Sequence, residues 1–134
     1  MDTIESIGPT YARRLALANI VNTEQLLQEA STQNGRLSLA AETDVPESLI
    51  LKWVNHADLM RIKGIGGEFA ELLEASGVGS LVELRKRTAR ALLSSLRETN
   101  EKKRLTRMIP STAKVESWIE QAKQLEPRVV QRMD

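Results

Sequence analysis

The chain has 134 residues, of which 41% are apolar and 28% are charged, a composition typical of a globular protein with one compact domain or two very small ones. It contains no cysteine and a single histidine, His56, which excludes disulfide frameworks, thiolate zinc sites and nucleophiles based on Cys or paired His. The formal net charge of +1 does not exclude a charged partner, because the charges are distributed unevenly along the chain.

The apolar residues of the chain recur at the spacing of helices. No stretch shows the strict alternation, or the enrichment in β-branched residues, that would predict a strand. No stretch approaches the roughly 18 consecutive apolar residues of a membrane span, and the acidic start lacks the basic region of a secretion signal. We therefore predict an all-α, cytoplasmic protein that does not enter a membrane.

The first predicted element is a glycine turn that leads into a helix. Gly8 is followed by Pro9, which suits the first turn of a helix because its fixed φ is already helical. Arg13 and Arg14 lie on this helix, within reach of a phosphate backbone held at the turn. Gly8, Arg13 and Arg14 are therefore candidate binding residues.

The next strongly periodic helix begins near Pro46 and carries Trp53 in an aliphatic stripe. A tryptophan among aliphatic residues favours a core position over a ligand-stacking role. His56 lies near the end of this helix beside Asp58, and the chain has no second His or Cys to complete a metal site. We expect His56 to be a structural or surface residue.

A second glycine turn follows, with Ile65 between Gly64 and Gly66. The glycines permit backbone angles denied to other residues, and Ile65 is expected to insert into the core. The N–H groups of the turn and the positive end of the helix that follows would then form a phosphate site, with Lys63 and the two glycines as candidate ligands. Alternatively, the turn only joins two packed helices. Glu residues at positions 68, 71 and 74 would partly repel an anion.

Residues 85–107, which we call the basic segment, carry nine cations against two carboxylates, whereas residues 1–84 carry six cations against twelve carboxylates. Such a local excess can attract a polyanion. Alternatively, the segment is a solvated face, or its cations pair with the acidic half. Its cations are Arg85, Lys86, Arg87, Arg90, Arg97, Lys102, Lys103, Arg104 and Arg107, and all except Arg97 are candidate contacts for a polyanion.

The last predicted helix is capped by Ser111, carries Trp118 and ends before Pro127. Together with the first tryptophan helix it indicates an internal repeat. Trp53 aligns with Trp118 at a shift of 65. At a shift of 58, Ile4, Ile7, Gly8, Tyr11, Ala12, Leu15, Ile20 and Leu26 align with Ile62, Ile65, Gly66, Phe69, Ala70, Leu73, Val78 and Leu84.

The repeat predicts two helical units, residues 1–60 and 61–126, followed by a tail of residues 127–134. Because the first tryptophan helix runs directly into the second glycine turn, without a linker rich in Gly, Ser or Pro, we expect one packed body. The first unit is less complete than the second. Ser6 replaces the first glycine of its turn, and only three residues precede Ile4.

The second turn and its flanks resemble the helix-hairpin-helix motif of non-specific DNA-binding proteins, on Leu59, Ile62, Gly64, Ile65, Gly66, Ala70 and Leu73. Over roughly residues 3–125, the order of the two tryptophan helices, the turn and residues 100–103 resembles an uncharacterised bacterial family. That family is known only as a domain of unknown function of the helix-hairpin-helix superfamily. The pattern of Ala70, Leu73, Val78, Glu83 and Leu84 is also similar to the helical C-terminal domain of the RNA polymerase alpha subunit. These resemblances imply a helical fold and a nucleic-acid partner, and they assign no activity.

The expected function is a non-catalytic, sequence-independent DNA-binding module that contacts phosphates through the basic segment and the glycine turns. We expect no enzymatic activity, because the chain lacks a phosphate-binding loop of the NTPase type and the downstream Asp of the helix-hairpin-helix glycosylases. Four aromatic residues are also too few for a typical base-stacking binder. No metal, cofactor or small-molecule substrate is expected. The alternative is a protein-protein adaptor whose oppositely charged halves guide assembly.

Overall fold

Eight α-helices and the turns between them make up residues 7–130, the part of the chain that this computed structural model describes. Residues 7–130 contain no strand, so the prediction of an all-α fold is confirmed. Ile4 and Ser6 of the first predicted turn, and residues 131–134 of the predicted tail, lie outside the described residues. The helices are α1 (Gly8–Leu17), α2 (Thr23–Ala30), α3 (Gln33–Thr43), α4 (Glu47–Leu59), α5 (Gly67–Ala75), α6 (Leu81–Arg85), α7 (Ala89–Lys103) and α8 (Thr112–Gln124).

Most of the helix starts are determined locally, by a side chain that accepts a hydrogen bond from a backbone N–H of the first turn. Such a bond satisfies one of the amide groups that have no partner within the helix. The predicted cap Ser111 does this for α8, and α4 begins directly after Pro46, as predicted. The other capping side chains are Asn22 of α2, Thr32 of α3, Ser80 of α6 and Thr88 of α7.

The helices enclose two apolar clusters, formed mainly by the first and second halves of the chain. Trp53 is buried in the first cluster and Trp118 in the second, which confirms both as core residues. Met60, just after α4, packs against both clusters. The first cluster includes Leu15, Ile20, Leu26, Leu27 and Ile50, and the second includes Ile62, Ile65, Leu73, Leu84 and Leu96.

The chain returns to the first half after α8. Val129 is buried in the first apolar cluster, and the Val130 N–H donates to the carbonyl oxygen of Ser31 at 2.7 Å. The Arg128 N–H donates to Oδ2 of the buried Asp58 at 3.0 Å, while its guanidinium pairs with Glu24 at 2.8 Å. Residues 126–130, which we call the C-terminal strap, therefore join the two halves of the molecule.

No helix within residues 7–130 combines the length and the apolar character needed to cross a bilayer.

Candidate functional site

The second glycine turn is built against α8. Gly64 has a φ of +101°, and a Cβ at this position would lie 2.9 Å from Nε1 of Trp118. Both the backbone angle and the close approach therefore require glycine here. Ile65 is buried in the second cluster, as predicted. The Lys63 N–H donates to Oε1 of Gln121 at 2.9 Å, so this amide of the turn is occupied by an internal partner.

The start of α5 has a different character, because Gly66 occupies its N-cap and provides no capping side chain. The N–H groups of the first turn therefore lack the side-chain partner that most other helices of this chain have. Gly66 is exposed, and a Cβ placed on it would meet no atom of the described residues within 4 Å. An anion could approach these amides from solvent.

The fold brings further cations to this helix start. A cleft of about 280 Å³ lies beside the first turn of α5 and is lined by Glu68 and Phe69, by the loop of residues 106–110, and by Lys114. Arg107 and Lys114 thus lie near Glu68, although both are distant from it in sequence. The acidic character that the sequence indicates for α5 is therefore partly offset by residues contributed from elsewhere.

The first glycine turn offers a weaker site. Gly8 has a φ of +71° and is exposed, and no side chain of residues 7–130 caps the start of α1. Arg13 is exposed. Arg14 has an internal role, because its Nη1 donates to the carbonyl oxygen of Asp44 at 3.0 Å and its guanidinium lies 5.6 Å from the centre of the Tyr11 ring.

Most of the basic segment faces solvent. Among residues 7–130, none of its nine cations forms an ion pair with a carboxylate of the first 84 positions. Lys102 pairs with Glu98 at 3.5 Å within α7. The other exposed cations, which have no side-chain hydrogen bond or ion pair within residues 7–130, are Lys86, Arg90, Arg97, Lys103, Arg104 and Arg107.

Arg85 and Arg87, which the sequence predicts as contacts for a polyanion, are less exposed than the other cations of the basic segment. Arg85 is half-buried, and its Nη2 donates to the carbonyl oxygen of Leu125 at the end of α8, at 2.8 Å. Arg87 is half-buried in a cleft of about 280 Å³ that also contains Glu116 and Glu120. Arg85 therefore holds α6 against α8, and neither residue is as available to a ligand as the exposed cations.

A cleft of about 460 Å³ lies between α7 and the start of α8. It is lined by Arg90, Leu93, Ser94, Arg97 and Thr112. Sequence reasoning did not select the two hydroxyl residues or Arg97 as site residues. The spacing of Arg90, Ser94 and Arg97, at i, i+4 and i+7, is the signal that places them on one face of a helix. Thr112 has no comparable signal, because it reaches the cleft through the packing of α8 on α7.

His56 lies on α4, next to Glu74 of α5, and is fully buried. Its Nε2 lies 3.2 Å from Oε1 of Glu74, which also pairs with Lys52 at 3.3 Å. Burial lowers the pKa of His56 below its ordinary value, and this effect outweighs the nearby carboxylates of Glu74 and Glu71. Nδ1 of His56 is buried without a partner in residues 7–130. The residue is part of the packing between the two halves.

These observations define a small all-α protein with an exposed basic segment. The model of the family described as "Domain of unknown function (DUF4332)" matches residues 5–125, so the chain belongs to this family. The resemblance to an uncharacterised family is thereby confirmed. Comparison with curated proteins and with solved structures found no match.

Proposed function

We propose that this protein is a non-catalytic module that binds DNA through its phosphates, without sequence preference. The main support is that six cations of the basic segment are exposed and have no side-chain partner within residues 7–130. Cations already neutralised by carboxylates would gain little from phosphates, whereas exposed and unpaired cations can replace the counterions condensed on a duplex. The glycine turns serve as secondary contacts, supported by the uncapped start of α5 and by the nearby Arg107 and Lys114.

We also propose that the chain is a tandem member of the helix-hairpin-helix superfamily and acts in the bacterial cytoplasm. Two similar ring pairs support the tandem arrangement. Tyr11 and Trp53 have ring centroids 5.4 Å apart with planes at 56°, and Phe69 and Trp118 have centroids 5.2 Å apart with planes at 54°. Each half has four helices, α1–α4 and α5–α8. In each half, the aromatic ring on the first helix (Tyr11 or Phe69) packs against the tryptophan on the fourth helix.

The test is the salt dependence of duplex binding, measured by fluorescence anisotropy of a labelled duplex. If four phosphates are neutralised, the logarithm of the association constant should fall with the logarithm of the salt concentration with a slope of about −3.6. Duplexes of unrelated sequence should bind equally. A dissociation constant weaker than about 1 mM at about 50 mM salt would reject the proposal.

A matched pair of variants tests the role of the basic segment. Arg97→Glu and Lys123→Glu each reverse one exposed cation on a helix, in α7 and α8 respectively. Arg97→Glu should make the salt slope shallower by about 1, as expected for one lost phosphate contact. Lys123→Glu should leave the slope unchanged. Equal effects of the two variants would show that binding responds only to net charge.

The second candidate function is a protein-protein adaptor, for which two exposed apolar side chains in the first half are candidate contacts. Leu17 is 86% exposed and Leu37 is 51% exposed, at the end of α1 and on α3 respectively. Exposed large apolar residues can mark a docking surface when they are contiguous. A stoichiometric partner that is recovered by pull-down, survives nuclease treatment and is lost with Leu17→Ser and Leu37→Ser would favour the adaptor.

A further inference from the structure

We propose that the cleft between α7 and the start of α8 receives a phosphodiester group of the bound nucleic acid. This inference rests on the proposed function and assigns the principal contact to one place. Arg90 and Arg97 lie two helical turns apart, about 10 Å along α7, and line the same cleft. Two arginines that line one concave surface can supply several N–H donors, and the planar guanidinium matches the geometry that phosphate oxygens prefer.

The other groups that line the cleft suit the same ligand. The hydroxyls of Ser94 and Thr112 can donate to phosphate oxygens, and both residues are exposed at the surface. The buried Leu93 contributes an apolar wall, which lowers the local dielectric constant and strengthens the attraction between guanidinium and phosphate. A cleft of about 460 Å³ has the volume of a ligand site.

The charge of the cleft distinguishes it from other concave surfaces of the molecule. The cleft beside α5 contains Glu68, and the cleft at the start of α7 contains Glu116 and Glu120. The cleft between α4 and α6 contains Glu74 and Glu83. In each of these, carboxylates offset the cations. Among residues 7–130, no carboxylate lines the Arg90 cleft, so an anion that enters it meets two arginines whose charge no lining residue of this part of the chain offsets.

The test narrows the cleft without changing any charge. Ser94→Leu places a larger apolar side chain among the lining residues, and Ala91→Leu makes a similar change at an exposed position of α7 that does not line the cleft. Ser94→Leu should raise the dissociation constant for duplex DNA roughly tenfold at about 50 mM salt, the contribution expected of one phosphate contact. Ala91→Leu should bind as the unmodified protein does. Circular dichroism checks that both variants remain helical.

A second measurement follows the backbone amides of Ser94 and Thr112 by NMR while inorganic phosphate is added. Saturable shifts at these two amides, abolished by Ser94→Leu and retained in Ala91→Leu, would support a phosphate site in the cleft. If the protein binds duplex and both variants bind equally well, the cleft assignment is wrong while the proposed function stands. If the amides respond to phosphate but no duplex binds, the proposed function fails and the cleft is a site for free phosphate instead. If neither duplex nor phosphate binds, both proposals fail.

Discussion

Nη2 of Arg36 donates a hydrogen bond of 2.7 Å to the carbonyl oxygen of Val130, which lies 94 positions further along the chain. The Arg36 guanidinium is fully buried and also donates to the carbonyl oxygens of Ala30 and Ser31, while its Nε lies 3.4 Å from Glu47. One buried cation thus connects the end of α2, the start of α4 and the C-terminal strap. A buried arginine is tolerated only when its donors find partners, and these carbonyl groups provide them.

Replacing this arginine should destabilise the protein strongly. Arg36→Met retains much of the side-chain volume but removes the donor to the buried carbonyl oxygen of Ala30, the bond to Val130 and the partner of Glu47. We expect the free energy of unfolding to fall by about 3 kcal/mol. Urea denaturation followed by circular dichroism measures this change. Arg13→Met is the matched control, because Arg13 is exposed, and it should change stability by less than about 0.5 kcal/mol. A loss below about 1 kcal/mol for Arg36→Met would show that water replaces the missing donors.

The C-terminal strap should contribute to stability through one of two adjacent valines. Val129 is 7% exposed and belongs to the first apolar cluster, whereas Val130 is 48% exposed. Val129→Ala should lower the free energy of unfolding by roughly 1–2 kcal/mol, because two buried methyl groups are lost. Val130→Ala keeps the backbone bonds to Ser31 and Arg36 and should cost less than about 0.5 kcal/mol. Equal midpoints of urea denaturation for both variants would contradict the packing of the strap.

The second glycine turn should tolerate alanine at one glycine only. Gly64→Ala forces a Cβ to within 2.9 Å of Nε1 of Trp118 at a φ of +101°, and should cost about 2–3 kcal/mol. Gly66→Ala places its Cβ in open space at a φ of −97° and should cost less than about 1 kcal/mol. Thermal unfolding of the two variants makes the comparison. Similar melting temperatures would show that the turn adjusts to a side chain at Gly64.

Acidification should destabilise the folded protein because of His56. Its pKa is lower in the folded chain than in the unfolded chain, so the unfolded chain binds the proton first as the pH falls. The free energy of unfolding should therefore decrease as the pH falls below about 6.5, the ordinary pKa of histidine. His56→Gln should reduce this dependence between pH 7.5 and 5.5, measured by urea denaturation.

The neighbours of His56 provide a further check on the same effect. The carboxylate of Glu74 favours the protonated imidazole, and the ammonium of Lys52 opposes it. Glu74→Gln removes the favourable neighbour, so stability should fall more steeply with acidification than in the unmodified protein. An unchanged or shallower dependence would mean that other groups dominate the titration in this range.

Arg85 and Lys86 are adjacent in sequence but should have different roles. Arg85→Gln removes the donor to the Leu125 carbonyl oxygen and should lower the free energy of unfolding by about 1–2 kcal/mol, without changing the salt slope of duplex binding. Lys86→Gln alters an exposed cation and should change stability by less than about 0.5 kcal/mol. Thermal unfolding and duplex titration of both variants test this distinction. A shallower salt slope for Arg85→Gln would show that Arg85 contacts the nucleic acid.

Local sequence signals were enough to predict the helical class and several boundaries. The spacing of apolar residues predicts helices, Ser111 and Pro46 mark two helix starts, and aliphatic neighbours place Trp53 and Trp118 in the core. These features depend on contacts within a few residues of each other, which is why a linear pattern contains them.

The proposed binding surface depends on contacts between residues far apart in the chain. The sequence shows the basic segment as an excess of positive charges. The packing of α6 and α7 on α8 decides that Arg85 is half-buried, whereas Arg90 and Arg97 are exposed. The same packing brings Thr112 into the cleft. The same holds for Arg36 and the C-terminal strap, since nothing near position 36 indicates a partner at position 130. Local sequence preferences determine where the helices form. Burial, and the need of buried polar groups for hydrogen-bond partners, determine which side chains remain available to a ligand.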